Sequence, residues 1–409
     1  MAQKGEIIVG LDIGTTKVRA VVGELINNEI QIIGVGEENS TGIKKGAIVD
    51  ITSTVTAIQR AVDAAEIMAA CEISEVYTGI SGQHIKGYSG SGVIITNSSE
   101  ITKHDIDRVI EQATAQISSK AHLKKSEIIH VLPQEFIVND QHGIQNPEGM
   151  AGGTLEVKIH IVSGPGTFIQ NIVKCVDIAG LEIKKIVLES LASSSTVLTE
   201  EEKEHGVALI DIGGNSSDMS IFSGGNIKYT YVLPIAGQIL TKDVAAVMNT
   251  PVHEAEMLKL NKGECISDNI DPEEIITIPS MGKKGNNETH RQILCEILEK
   301  RTEEILTMLH DEIYRSGMEY EIPSGIVLTG GTANMPGIVE LAESIFNTPV
   351  RVGFPSNVSG LSDAVNRPDY STAVGLVRFG AKDVFEFGNT RKSKNNFSKI
   401  FQQIIDWFK

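Results

Sequence analysis

The chain has 409 residues, and 36 Lys and Arg against 53 Asp and Glu give it a formal net charge of −17 at pH 7. Nucleic acid is not an expected partner, because phosphate backbones are bound by clustered Lys and Arg. Neither a zinc site nor a disulfide framework is indicated by the widely spaced cysteines, which are Cys71, Cys175, Cys265 and Cys295. We expect a protein of the reducing cytoplasm, since no signal peptide and no run of about 18 apolar residues occurs.

The first predicted element is a β-hairpin near the N-terminus. In EIIVGLDIGTTKVRAVVGEL, two alternating apolar strands flank a tight polar turn. Its polar residues are Asp12, Gly14, Thr15, Thr16 and Lys17. Glycine lets backbone N–H groups approach a phosphate oxygen, threonine hydroxyls add donors, and an aspartate can hold a hydrated divalent cation. Taken alone, this hairpin is equally typical of an ordinary turn.

A compact α+β unit is predicted next. Residues 101–118, ITKHDIDRVIEQATAQIS, have apolar side chains at helical spacing, and Thr102 is placed to cap the helix N-terminus. The apolar positions are Ile106, Val109, Ile110, Ala113 and Ile117. The strand-like segments GVIITN and EIIHVLPQEFIVND lie on either side of this helix in the sequence.

The hairpin pattern recurs in the second half of the chain. HGVALIDIGGNSSDMSIFSGGNIKYTYVL again has an apolar strand, a polar turn and a returning strand, with Asp211, Gly213, Gly214 and Asn215 at the turn. Two copies indicate an internal duplication in which paired hairpins face each other across a cleft. The ligand that fits such a pair is a nucleotide whose phosphates carry Mg²⁺.

Further elements complete the second half. SDNIDPEEI and HRQILCEILEKRTEEILTMLHDEIYRSG predict a mostly helical insert. VLTGGTANMPGIVELAESIFNTPVRVG predicts a strand ending at Leu328 and Thr329, a turn at Gly330 and Gly331, and a helix over 338–346. Glycines at such a junction let a flat ring or a ribose lie against the backbone, although a simple strand-to-helix turn gives the same pattern.

The segment NNFSKIFQQIIDWFK predicts an amphipathic helix over 397–409. At about 100° per residue its apolar and polar side chains occupy separate faces. The apolar residues are Phe397, Ile400, Phe401, Ile404, Ile405, Trp407 and Phe408. A linker containing Arg391, Lys392 and Lys394 precedes them, which favours a tethered membrane anchor, because each Lys or Arg near anionic lipid contributes about 1 kcal/mol. The alternative is a helix docked on the protein's own core.

Three motifs carry a family resemblance. In order and spacing, GLDIGTTKV, LIDIGGNSSDMSIF and IVLTGGTANMPG resemble the two phosphate motifs and the adenosine motif of the actin, DnaK chaperone and sugar kinase superfamily. Within it the chain resembles the FtsA family of bacterial cell division proteins, through IIHVLPQEFIVNDQHGIQNPEGMAG, YTGISGQHIKGYSGSGVI, IAGQILTKDVA and RPDYSTAVGLVRFG. The resemblance implies an α/β, actin-like duplicated fold. Two lobes would surround a nucleotide cleft, with an inserted α+β subdomain and a C-terminal amphipathic helix.

The resemblance also implies how the chain is divided. Lobe 1 would comprise 1–83, completed by 164–195 and 365–380, with the FtsA-type subdomain inserted at 84–163. Lobe 2 would comprise 196–238 and 319–364, with a helical insert at 239–318. A flexible basic linker at 381–396 and the membrane-targeting helix at 397–409 would follow.

By resemblance, ATP phosphates lie between two groups of residues, Asp12, Gly14, Thr15, Thr16 and Lys17 on one side and Asp211, Gly213, Gly214 and Asn215 on the other. Asp12 and Asp211 would hold Mg²⁺ through water. The nucleoside would meet Gly330, Gly331 and Thr332. Glu296 and Lys300 are weaker candidates for the ribose or base, and a surface ion pair four residues apart is the alternative for them.

One departure from the family concerns the second turn. Most members have a third glycine and a threonine where this chain has Asn215 and Ser216, and we expect the turn to form because Asn tolerates positive φ. No catalytic residue is identified. Gln134 and Glu135 are the candidates to orient an attacking water, so ATP hydrolysis is expected to be slow at best.

The resemblance implies a cell division protein that self-assembles at the inner face of the cytoplasmic membrane, anchors the tubulin-like protein FtsZ there and helps recruit later division proteins. Arg301 and Glu304 match the family position for the FtsZ C-terminal tail, with Lys283 and Lys284 nearby. A solvated charged helix is the alternative explanation for these residues. Two other functions stay open, a small-molecule kinase of the superfamily and a cytoplasmic actin-like scaffold for pilus or cell-shape assembly.

Overall fold

The computed structural model describes residues 5–44, 46–96, 99–120, 123, 126–279 and 286–387. The segment 397–409, the linker from residue 388 onward, and Lys283 and Lys284 lie outside these residues, so what is predicted for them stays a prediction. None of the helices in the described ranges combines the length and the apolar character that a membrane crossing requires.

The N-terminal part of the chain builds the first lobe around a mixed sheet. Its elements are β1 (Glu6–Ile13), β2 (Lys17–Ile26), β3 (Glu29–Asn39), β4 (Ile43–Lys44), β5 (Ala47–Ile48), α1 (Ile51–Ala69) and β6 (Glu75–Ile80). β1, β2 and β3 pair antiparallel in succession, and β6 lies parallel to β1. The first predicted hairpin is therefore confirmed.

An inserted unit follows with a sheet of its own. It consists of β7 (Lys86–Ile95), α2 (Lys103–Lys120), β8 (Ser126–Val138), β9 (Gln141–Ile144) and β10 (Thr154–Pro165), in the sheet order β7-β10-β8-β9. The five apolar positions predicted for α2 are all buried. Thr102 Oγ1 accepts the Asp105 N–H at 3.3 Å, and the Thr102 N–H donates to Asp105 Oδ2 at 3.1 Å. The predicted helix and its cap are confirmed.

The chain then completes lobe 1 and enters lobe 2. The elements are α3 (Gly166–Ile178), β11 (Glu182–Leu188), α4 (Glu189–Val197), α5 (Glu200–His205), β12 (Val207–Ile212), β13 (Ser217–Ser223) and β14 (Asn226–Leu233). β11 extends the lobe 1 sheet beside β6, whereas β12, β13 and β14 pair antiparallel in succession. The second predicted hairpin is confirmed.

The next segment contains α6 (Gly237–Val247), α7 (Val252–Lys262), β15 (Ile275–Pro279), β16 (Asn286–His290) and α8 (Arg291–Ser316). The long helix α8 is confirmed, but the helix predicted for SDNIDPEEI is wrong. Only Ser267–Asn269 forms a 3-10 turn, and Ile275 begins a strand. Pro272 disfavours helix at the residue before it, and Ile276 and Ile278 alternate into the lobe 2 core as a strand requires.

The last described elements belong to both lobes. They are β17 (Ile326–Thr329), α9 (Ile338–Phe346), β18 (Val350–Val352), β19 (Ser359–Gly360), α10 (Ser362–Val365) and α11 (Ser371–Phe387). The lobe 2 sheet has the order β14-β13-β12-β17-β18, and both the strand ending at Thr329 and the helix over 338–346 are confirmed. Residues 381–387 were expected in the flexible linker, but they continue α11, because Ala381 and Val384 pack on the lobe 1 core.

The inserted unit contacts both lobes through polar side chains. On the lobe 2 side, His160 Nε2 lies 2.9 Å from Thr230 Oγ1, and Gln134 Nε2 donates to a β14 carbonyl at 2.7 Å. On the lobe 1 side, His130 Nε2 accepts the Leu188 N–H at 3.0 Å. These contacts place the inserted unit against β14 of lobe 2 and the end of β11 in lobe 1.

Candidate functional site

Two hairpin turns face each other between the lobes. In lobe 1, Asp12 on β1 is opposite Arg19 on β2. In lobe 2, Asp211 on β12 is opposite Asp218 on β13. Asp12 and Asp211 are each the penultimate residue of their strand, so the duplication places both carboxylates beside a turn.

Gly214 brings the two turns into contact. A Cβ atom on Gly214 would lie 2.4 Å from Cγ2 of Thr16 in the other turn, so a side chain there would displace Thr16. Within the second turn the Gly213 N–H donates to Ser216 O at 3.0 Å. Gly213, Gly214 and Asn215 all have negative φ, so the turn forms without the positive φ that we expected to help at Asn215.

The loop after β17 closes a third side. Gly330 has a φ of +86°, which glycine adopts without strain, and a Cβ there would lie 2.3 Å from Oδ1 of Asp211. Thr332 Oγ1 donates to Gly213 O at 3.2 Å, and the Gly237 N–H at the start of α6 donates to the same oxygen at 3.1 Å. Hydrogen bonds thus fix this loop and α6 to the second turn.

A cavity of about 600 Å³ lies between the turns and this loop, a volume typical of small-molecule sites. Every residue predicted from the two hairpins and from the glycine loop lines it. We call it the cleft. The structure therefore brings together three motifs that are far apart in the sequence.

Glu296 and Lys300 are not brought to the cleft. Both are exposed on α8 and lie outside the cavity lining, because Leu294 and Leu298 turn the apolar face of this helix towards the lobe 2 core. Three residues of α7 line the cleft instead, which are Glu256, Lys259 and Leu260. The Nζ atom of Lys259 lies 2.8 Å from Glu256 Oε2 and 3.0 Å from Thr241 Oγ1.

Four carboxylates converge between the hairpins. Burial raises the pKa of Asp12 to about 6, that of Asp211 to about 7 and that of Asp218 to about 6. Burial and then the nearby aspartates raise the pKa of Glu189, the first residue of α4, well above its usual range. Ser81 Oγ donates a hydrogen bond to Asp218. Carboxylates with such raised pKa values are withdrawn from water, and they mark the cleft as a candidate functional site.

The cationic side chains beside these carboxylates are paired with other acids. Arg19 Nη2 lies 2.6 Å from Asp369 Oδ2, and Arg19 Nε lies 2.8 Å from Glu37 Oε2. Lys17 Nζ lies 2.7 Å from Glu37 Oε1. The ion pairs leave the excess negative charge of the cleft uncompensated.

This charge pattern fits a divalent cation that binds together with phosphates. In the described ranges no three or more His, Cys, Asp or Glu side chains are grouped closely enough to hold a metal. Mg²⁺ does not need such a group, since one or two carboxylates, waters and substrate phosphates complete its shell. Asp12 and Asp211, one from each hairpin, line the cleft and are the carboxylates that could serve such an ion.

Sequence reasoning missed other residues of the cleft, among them Glu189, Asp218, Glu256 and Lys259. The position of Asp218 could have been deduced from the sequence. Counting residues outward from the turn places it opposite Asp211 on the paired strand. The other three come from helices distant in sequence from the hairpins. No local pattern marks them.

The two residues predicted to orient a water lie elsewhere. Gln134 bonds to β14, and Glu135 forms an ion pair with Lys158 at 2.9 Å. Both are outside the cleft lining, because β8 belongs to the sheet of the inserted unit. Glu189 does line the cleft, and burial together with the nearby aspartates raises its pKa.

Known proteins with similar sequences and folds agree with this description. A family profile described as "Cell division protein FtsA" matches residues 208–375, and one described as "SHS2 domain inserted in FTSA" matches residues 82–163. The cell division protein FtsA of Pseudomonas aeruginosa is 45% identical over 379 residues, which cover 92% of this chain and 90% of that protein.

Two solved structures resemble the fold. The PilM–PilN type IV pilus biogenesis complex matches with a TM-score of 0.68 at 14% identity, covering 91% of this chain and 98% of that one. MreB5 of Spiroplasma citri bound to ADP matches with a TM-score of 0.57 at 14% identity, covering 94% of this chain and 99% of that one. These similarities confirm the predicted actin-like fold.

We predict that Asp211→Asn stabilises the ligand-free protein more at pH 8 than at pH 5. Folding raises the pKa of Asp211 from 3.8 to about 7, so its stabilising contribution is fully present below about pH 4 and is lost as the pH rises through about 7. Such a shift corresponds to at most about 4 kcal/mol in the free energy of unfolding. Urea unfolding at both pH values, in EDTA, measures the difference.

The matched control is Asp63→Asn, at an exposed position on α1. Its effect on the free energy of unfolding should be the same at both pH values. An Asp211→Asn effect that does not change between pH 5 and pH 8 would contradict the assignment of a raised pKa to this carboxyl.

Proposed function

Because this chain belongs to the FtsA family of cell division proteins, we propose that it binds ATP, self-assembles at the inner face of the cytoplasmic membrane and anchors FtsZ there. Its actin-like fold and its role in cell division follow from the family and the structure. The observation that carries the proposal is the cleft, where two duplicated hairpins face each other around buried carboxylates.

The proposed ligand of the cleft is ATP with Mg²⁺. Backbone N–H groups of the two turns and the hydroxyls of Thr15 and Thr16 are the donors for the phosphates. The ion, held through water by Asp12 and Asp211, would neutralise both the carboxylates and the phosphate oxygens. The nucleoside would lie towards Gly330 and α7. The ADP bound to MreB5, a protein of the same fold, supports this choice of ligand.

For hydrolysis we propose Glu189 as the group that orients water. It lines the cleft, and burial together with the nearby aspartates raises its pKa, which makes its carboxylate a stronger base. The same burial disfavours the ionised carboxylate, and a bound cation would oppose that effect. Turnover should therefore be slow and should depend on Mg²⁺.

Membrane attachment is proposed for the segment 397–409. One amphipathic helix binds lipid weakly and reversibly. A polymer displays several such helices side by side, so assembly would convert weak single contacts into firm attachment through avidity. The segment 397–409 would thus attach the nucleotide-binding body to the membrane surface without a spanning helix.

The FtsZ tail is proposed to bind near Arg301 on α8. Arg301 is partly exposed, and its Nε atom lies 2.5 Å from Asp243 Oδ2 on α6. It also pairs with Glu304 on its own helix. A peptide carboxylate would therefore have to exchange with an existing ion pair, which favours a modest affinity. Later division proteins are proposed to use the inserted unit, which lies beside both lobes.

The rival functions are less well supported. A small-molecule kinase would need a second substrate site beside the nucleotide, and no observation on the described residues points to one. At 14% identity, the likeness to PilM and MreB5 does not carry over the cellular roles of those proteins. Family membership at 45% identity favours cell division over a pilus or cell-shape scaffold.

We predict that Asp211→Ala reduces the affinity for ATP with Mg²⁺ by at least about tenfold, since removing a partner of a buried cation costs more than about 1.4 kcal/mol. Lys259→Ala should weaken binding by a smaller factor. Isothermal calorimetry measures both, with Lys300→Ala as the control on the exposed face of α8. No heat of binding for the unaltered protein, or equal affinity for Asp211→Ala, would refute the nucleotide assignment.

We predict that Arg301→Glu abolishes measurable binding of an FtsZ C-terminal tail peptide and leaves ATP binding unchanged. The neighbouring variant Lys300→Glu makes the same charge change at a fully exposed position and should bind the peptide within about twofold of the original affinity. Fluorescence anisotropy with a labelled peptide provides the measurement. Equal loss in both variants would assign the effect to net charge instead of to Arg301.

We predict that the full chain floats with vesicles of mixed phosphatidylglycerol and phosphatidylethanolamine, and that a chain ending at Asn395 does not. Ile404→Glu should release the full chain, because it places a charge on the apolar face. FtsZ should float only together with the full chain. Persistent flotation of Ile404→Glu would exclude this segment as the anchor.

A further inference from the structure

A second cavity of about 1160 Å³ lies where α4, α5, the β2–β3 turn, β8 and α11 meet. It shares no lining residue with the cleft, and the proposed function does not use it. Its floor is apolar and includes Leu132, Leu191, Phe222, Ile227 and Phe379. At its edge Phe385, near the end of α11, keeps 45% of its surface exposed. We call this cavity the α11 groove.

One wall of the α11 groove carries an arginine without an acidic partner. Arg378 is partly buried, and its Nη1 atom donates to Ser356 O at 3.3 Å. Among the residues that the structure describes, no carboxylate forms an ion pair with it. Burial lowers the pKa of Arg378, although Glu200 opposes that shift. A half-buried guanidinium in this situation favours a ligand that brings a carboxylate.

The rim of the α11 groove is acidic. It exposes four glutamates, which are Glu29, Glu200, Glu201 and Glu204. Lys203 pairs with Glu200 at 2.9 Å and so offsets one of them. The α11 groove therefore combines an apolar floor, an acidic rim and one wall, on α11, that carries Arg378 and Lys382. Its occupant should have an apolar face flanked by several basic residues and a single acid.

The chain's own C-terminal segment has this composition. Residues 388–409 contain one acid, Asp406, and five basic residues, Arg391, Lys392, Lys394, Lys399 and Lys409. The last described helix ends at Phe387, two residues beyond Phe385 at the groove edge. The nine residues from 388 to 396 can span about 30 Å, and a helix of 13 residues is about 20 Å long. The groove lies well within reach.

We propose that the α11 groove binds the segment 397–409 of the same molecule. The apolar face of the segment lies against the groove floor, its lysines lie beside the acids of α5, and Asp406 lies towards Arg378. The short tether raises the effective concentration of the segment to the millimolar range, which disfavours competing occupants such as a second copy or a partner peptide.

Docking and lipid binding would exclude each other, because both use the same apolar face. The apparent affinity for vesicles equals the affinity of the free segment multiplied by the fraction of molecules whose segment is free. If nine-tenths of the molecules are docked, release strengthens vesicle binding about tenfold. This consequence rests on the proposed membrane function, whereas docking itself does not.

Trp407 is the only tryptophan in the chain, so its fluorescence reports on the segment directly. Without lipid, the full chain should show Trp407 protected from acrylamide quenching relative to a synthetic peptide of residues 388–409. Arg378→Glu and the uncharged change Phe385→Ser should both remove this protection. Lys300→Glu, which makes the same charge change outside the groove, should retain it. Circular dichroism of each variant checks that the fold is intact.

Vesicle binding gives a second readout. Arg378→Glu makes the body more acidic and would weaken binding to phosphatidylglycerol vesicles by charge alone, as in Lys300→Glu. Stronger binding of Arg378→Glu than of the unaltered chain therefore supports docking.

Quenching of Trp407 in the full chain equal to that in the peptide would overturn the proposal. Protection that disappears on dilution would also overturn it, by assigning the groove to a second copy. Protection without vesicle binding in any variant would leave docking standing and refute the membrane function.

Discussion

The structure depends on the carboxylates buried between the two hairpins. Their positions are fixed by the backbone, since Asp12 and Asp211 stand near the ends of paired strands and Glu189 begins a helix. Burial among like charges raises their pKa values, so their ionised forms are unfavourable until a cation arrives. The proposed ligand, a nucleotide with Mg²⁺, would bring the cation together with phosphates that need it. The charge of this site thus favours a ligand that carries a cation.

The segment 367–372 connects the lobes beside these carboxylates. Asp369 holds Arg19 of lobe 1 at 2.6 Å, and Thr372 Oγ1 donates to Asp211 of lobe 2 at 3.4 Å. These contacts join the cleft to the start of α11, and the far end of the same helix lines the α11 groove.

The inserted unit adds a second connection between the lobes. His130 accepts the N–H of Leu188, the residue before Glu189, and His160 bonds to Thr230 on β14. Burial lowers the pKa of His130 to about 3 and that of His160 to about 4, so both side chains are neutral near pH 7. Neutral imidazoles supply fixed hydrogen bonds without adding charge near the acidic cleft. A partner bound to this unit would touch elements that lead directly to the carboxylates.

The sequence by itself determined the two hairpins, the α2 helix with its Thr102 cap and the amphipathic pattern of 397–409, because each depends on local periodicity and turn chemistry. The glycine-rich turns are also local patterns, and for that reason they identified the cleft. Only the tertiary structure decided that Glu189 and Lys259 join the cleft, that Glu296 faces away from it and that SDNIDPEEI leads into a strand. Those outcomes depend on which face of each helix or strand is buried against elements far away in the chain, and local spacing does not encode that choice.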